Sequence, residues 1–187
     1  MILLSCALSN AAEPQPGPKP AYVHPQTGLS FPDQLGGAIF TRTQRFDDPG
    51  LGVVVEYQGL DPFADAGVYL YDMGLKGIGT GIETKQVKEQ YEEAQADIEQ
   101  FRAAGLYKSF RTIAEKEMRI KTRGGEIKAF RASFSYEVTG LAYFSELVLT
   151  GYKGVFLKVR FSYPQQEGER GARLFESFMS GLGGLMP

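Results

Sequence analysis

Cysteine and histidine are almost missing from this 187-residue chain, which carries one of each, Cys6 and His24. A single cysteine excludes an internal disulfide and any cysteine-rich zinc or iron–sulfur centre. A single histidine leaves His24 as the only base for a Ser-His-Asp triad. The sequence puts it between a proline ladder and the first strand signals, beside a flexible tail, where rigid catalytic positioning is not expected. Tryptophan is absent. No segment approaches the ~20 continuous apolar residues of a membrane span, and no D-x-[DN]-x-[DN]-G loop offers a calcium site. Neither sign of charge dominates: 20 basic and 22 acidic side chains give a net charge of −2. Nucleic-acid binding needs a concentrated basic surface, so it is set aside.

What is present suits one globular domain with a tail. Apolar residues make up 43% and charged residues 22% of the chain, an ordinary composition for a single good core. We divide it into residues 1–12, the remnant of an export or lipoprotein signal, a proline-rich spacer at 13–21, and one α+β domain at 22–187.

The N-terminal reading rests on Leu3-Leu4-Ser5-Cys6, which resembles a bacterial lipobox, with Cys6 as the acylated residue and Ala7 in place of an inner-membrane retention Asp. A signal peptide needs a positive n-region and about 7–15 apolar residues. Before Cys6 there is neither, so the stretch reads as the end of a longer signal. Two alternatives stay open: a secretory signal cut after Ser9-Asn10-Ala11, and a cytosolic protein whose N-terminus carries no function. The alternating prolines from Pro14 to Pro20 favour extended polyproline II, a semi-rigid spacer between an anchor and a folded body.

From Tyr22 onward the pattern reads strands, helix, strands, helix. Gly28–Phe31 is a short extended start. Ala38–Phe46 and Leu51–Gln58 flank the turn signal Asp47-Asp48-Pro49-Gly50, and Val68–Met73 alternates as a further strand. In the second of these runs Val53, Val55 and Tyr57 share one face. Val87, Tyr91, Ala94, Ile98 and Phe101 recur at helical spacing opposite a charged face, and Gly105 stops the helix. Ser109–Lys121 and Glu126–Val138 flank the hairpin signal Thr122-Arg123-Gly124-Gly125. Along Glu126–Val138, Phe130, Ala132, Phe134, Tyr136 and Val138 line one face. Leu141–Tyr152 and Val155–Tyr163 follow, and Leu174, Phe175, Phe178 and Leu182 form the stripe of a last helix. The fold class is α+β: an antiparallel sheet of about six to seven strands, sandwiched by a mid-chain helix and a C-terminal helix.

Phe31-Pro32, the stretch Phe161-Ser162-Tyr163-Pro164 and the Phe175–Phe178 helix, in this order of elements over Tyr22–Leu182, resemble the PsbP-like domain. That α/β/α sandwich is shared by the extrinsic photosystem II protein and a nuclear-import factor that binds the GTPase Ran. The resemblance implies a non-enzymatic binding or assembly module, often exported. It carries no metal or partner residue onto this chain.

Three candidate sites compete with plainer readings. Gly77-Ile78-Gly79-Thr80-Gly81 precedes a helix and could cradle an anion, but it lacks the Gly-Lys-Ser/Thr of a P-loop and reads more simply as a mobile loop, with Thr80 or Thr84 as N-cap. Tyr69, Tyr71, Tyr136 and Tyr143 either line a pocket or pack the sheet against a helix. Glu56, Asp72, Glu137 and Glu146 either pair for acid–base chemistry or hold ordinary salt bridges. No catalytic, cofactor-binding or metal-ligating residue is assigned. The expectation is an exported, lipid-anchored, non-catalytic module of the cell envelope, periplasmic or outer-membrane-tethered, or else secreted. It binds another envelope protein and touches membrane only through Cys6. The alternatives are a small-ligand or lipid carrier and a carboxylate-based hydrolase.

Overall fold

A computed structural model describes residues 20–187. Cys6, the signal remnant and residues 13–19 of the spacer lie outside the described residues. A two-stranded ribbon, β1 (Tyr22–Val23) and β2 (Ser30–Phe31), precedes a large sheet that opens with β3 (Gln34–Leu35), β4 (Ala38–Arg45), β5 (Val53–Leu60) and β6 (Phe63–Tyr71). Helix α1 (Lys85–Ala103) follows, then β7 (Lys108–Thr122), β8 (Gly125–Val138), β9 (Leu141–Tyr152) and β10 (Val155–Pro164), and finally α2 (Gly168–Leu185). The sheet is antiparallel throughout, in the order β3-β4-β5-β6-β10-β9-β8-β7.

Local chemistry explains the turns. Asp48 accepts from the Gly50 amide at 2.8 Å and opens a short 3-10 turn at Pro49–Leu51. Thr139-Gly140 and Lys153-Gly154 both lie in the left-handed region, at φ 51° and 83° and at 47° and 83°. Two successive residues of this kind make the primed turn whose twist matches that of an antiparallel hairpin. β6 starts at Phe63 rather than Val68, because Asp61-Pro62 forms a two-residue turn and the small, buried Ala64 and Ala66 carry the strand back beneath α2.

The two helices cover opposite faces. Phe175, Phe178 and Leu182 of α2 are buried against Val55, Tyr57, Val68, Leu157, Val159 and Phe161. Val87, Tyr91, Ala94 and Ile98 of α1 pack with Ala132, Phe134, Leu147, Leu149, Phe156 and Tyr71 on the other face. Phe101 departs from the expected stripe: it is 48% exposed and touches only the edge of this layer through Tyr107, at a centroid distance of 5.6 Å. Helix α1 therefore lies over β8, β9 and one end of β6 and β10. The far ends of β6 and β10, with β4 and β5, keep the same face of the sheet open.

His24 also departs from expectation. It is buried in the β1–β2 ribbon, where its backbone N–H donates to Leu29 and its Nδ1 lies 3.0 Å from the Thr27 hydroxyl. The tight β1–β2 turn, closed by Gly28 donating to the His24 carbonyl, fixes what the sequence places beside a loose tail. Among the described residues no helix is long and apolar enough to cross a membrane.

Candidate functional site

The open part of the α1-side face forms a depression of about 410 Å³ over β4, β5, β6 and β10. Its floor follows from strand register. Arg42 pairs across strands with Glu56, Glu56 with Gly67, and Gly67 with Arg160, while Asp65 lies opposite both Gln58 and Ser162. Period-2 alternation then turns all of these side chains to one face. Gly67 keeps the floor low, since a Cβ there would meet the Tyr69 ring at 2.9 Å.

Ion pairing divides the charges unequally. Arg42 forks onto Glu56, with Nε on one carboxylate oxygen and Nη2 on the other at 3.2 Å. Arg160 has no carboxylate partner among the described residues. Its Nη2 donates to the Ser145 hydroxyl at 3.1 Å, Ser145 meets Ser162 at 2.9 Å, and Arg160 Nε is closed off from solvent with no acceptor. Among the described residues Asp65 accepts only from the Gln58 amide, at 3.1 Å. On the same face Lys158 Nζ stands 4.8 Å from the Tyr69 ring centre and 5.3 Å from that of Tyr71, a cation–π arrangement. Burial, followed by the neighbouring Arg160 charge, pushes its ammonium below the ordinary lysine range, with Asp97 and Glu93 of α1 pulling the other way. Burial likewise raises the Tyr69 phenol, against the opposing charge of Arg160.

The tyrosines read as one set in the sequence separate into two. Tyr69 and Tyr71 bracket Lys158, and Tyr71 also packs on Phe156 with ring centres 5.4 Å apart. Tyr136 and Tyr143 stack at 5.7 Å near the other end of the sheet, where Tyr107 joins at 4.3 Å. Only Tyr69 borders the depression.

The four carboxylates do not converge. Glu56 faces the α1 side, paired with Arg42. Glu146 is buried on the α2 side, bound by Arg131 at 2.8 Å and Ser133 at 2.7 Å. Asp72 caps the turn after β6 by accepting from Gly74 at 2.8 Å. Glu137 lies opposite Lys108 and Ala142 near the far end of β8. The glycine-rich stretch is a loop pinned at one point: Gly81 and Gly151 exchange two backbone hydrogen bonds of 2.9 and 3.0 Å, and Ile78 and Ile82 are buried under α1. Thr84 is the N-cap residue of α1, and its hydroxyl makes no capping bond. Between α1 and the sheet, Val87, Leu147, Leu149 and Phe156 are fully buried. Asp65, Arg160 and Gln58 were not signalled in the sequence. Their alternation on strands was visible, but which strands become neighbours was not.

No family model matches the chain, and no curated protein matches it. Among solved structures it is similar to the solution structure of cyanobacterial PsbP (CyanoP) from Synechocystis sp. PCC 6803, with a TM-score of 0.52 and 13% identity. The match covers 86% of this chain and 88% of that one. The chain has a PsbP-like α+β fold.

Proposed function

We propose that this protein is an exported, non-catalytic docking module, held at a membrane surface by an acyl group on Cys6. In this reading the proline segment projects the domain at 22–187 away from the bilayer toward another protein of the envelope. The observation that carries it is a PsbP-like fold over most of the chain, joined to the lipobox-like Leu3-Leu4-Ser5-Cys6. Both helices are committed to the core, so a partner would be met by the open sheet face and the loops around it. The dispersal of Glu56, Asp72, Glu137 and Glu146 supports binding over carboxylate catalysis, and the full burial of Val87, Leu147, Leu149 and Phe156 beneath α1 speaks against a lipid carrier.

Intact-mass analysis of the protein made from its native locus, in membrane and soluble fractions, tests the reading. A mature chain beginning at acylated Cys6 in the membrane fraction, crosslinked through the domain to a second protein, is the expected result. An unmodified chain that retains Met1 in the cytosol would overturn the localisation and the anchor together.

A further inference from the structure

The depression over β5, β6 and β10 holds two opposite charges that the fold keeps apart. Arg160 lies opposite Gly67 and Ser162 opposite Asp65, so Arg160 and Asp65 are diagonal cross-strand neighbours. Such positions are about 7–8 Å apart, within reach of long side chains. An ion pair would be the ordinary outcome, yet among the described residues neither side chain has one. The reason is directional. Arg160 leans outward onto Ser145 of β9, and Asp65 is held by Gln58 of β5 on the opposite side. Gly67 and the small Ser162 leave the floor between them low.

The rest of the wall sets the sign of what fits. Arg42 and Glu56 already neutralise each other. A simple anion approaching Arg160 would also meet Asp65, and a simple cation approaching Asp65 would also meet Arg160. A molecule carrying both signs a few ångströms apart is complemented at both ends, by charge-assisted hydrogen bonds stronger than neutral ones. The volume of about 410 Å³ suits a ligand of amino-acid size, with the Tyr69 ring as its apolar wall.

We propose that this depression binds a small zwitterion of the α-amino-acid class, with its carboxylate on Arg160 and its ammonium on Asp65. The site does not depend on the anchor, since it rests on sheet geometry, and it lies on the open face that the proposed function gives to a partner.

The test is an NMR titration of the isotope-labelled full chain with glycine and with L-phenylalanine, each compared with its N-acetyl and its amide derivative. The expected result is saturating millimolar shifts at the amides of Gly67, Tyr69 and Ser162 with at least one free amino acid. Either derivative, having lost one charge, binds about tenfold weaker or worse. Asp65→Asn should erase the preference for the free amino acid over its N-acetyl form. Arg160→Gln should erase the preference over the amide. Absence of shifts with both amino acids, or equal binding of all forms, would overturn the proposal. The derivative series on the unaltered chain decides it even if a variant fails to fold.

Discussion

Arg131 and Glu146 form an ion pair inside the α2 side of the sheet: Arg131 Nε donates to Glu146 at 2.8 Å, and the guanidinium lies 4.5 Å from the Phe175 ring centre. Glu146 is 6% exposed and also accepts from Ser133. Removing one member of such a pair leaves a buried charge without compensation, which costs about 3–5 kcal/mol, whereas replacing both by apolar groups is often neutral. Arg131→Met should therefore destabilise by about 3 kcal/mol. Arg131→Met combined with Glu146→Leu should recover most of that loss. Urea unfolding of the two variants checks both statements.

Gly151 should tolerate no side chain. A Cβ at this position would run into the Gly79 carbonyl oxygen, so Gly151→Ala must break the Gly81–Gly151 bridge or displace the strand. Overpacking of this kind typically costs about 1–3 kcal/mol. Faster hydrogen exchange at Gly81 and at the first turn of α1, with the α2 side unchanged, is the expected signature.

His24 makes stability depend on pH. Burial, reinforced by the charge of Arg45, holds its pKa below the ordinary 6.5. The unfolded chain then takes up a proton before the folded one does, so stability is full above the unfolded value and falls as pH drops through and below it. Urea midpoints should fall between pH 7.5 and pH 5, and His24→Gln should flatten that part of the slope. A midpoint that rises on acidification over this range, and does so only with His24 present, would contradict the assignment.

Two phenylalanines that look alike in the sequence should behave differently. Phe178 is fully buried against Tyr57 and Phe161, with ring centres 5.6 and 5.5 Å away, so Phe178→Ala should cost about 3–5 kcal/mol. Phe101 is half exposed at the end of α1, and Phe101→Ala should fall within about 0.5 kcal/mol of the parent protein. Thermal or chemical denaturation separates them clearly.

Where one local rule decides the outcome, the sequence was readable. The alternation of Val53, Val55 and Tyr57 did turn one face to the core, and Arg123-Gly124 did close a hairpin between Thr122 and Gly125. Strand neighbours were not legible, because pairing of β6 with β10 joins segments more than eighty residues apart and nothing local encodes it. That pairing creates the depression, so Arg160 and Asp65 could not be brought together from pattern alone. Phe101 failed for a related reason. Periodicity says which residues share a helix face, but not how far the covering sheet extends along it. The pinning of the glycine stretch to Gly151 was not legible, because close backbone approach and an open loop call for the same residue.

The position of β10 bears on how the protein is made. This strand joins the β3–β6 half of the sheet to the β7–β9 half, and it comes last in chain order among the described strands. Until residues 155–164 are synthesised, β6 and β9 have no neighbour to bridge them, and the layer under α2 lacks Leu157, Val159 and Phe161. The nascent chain therefore carries an open seam while β3 to β9 emerge, and the sheet is completed only once β10 has followed them.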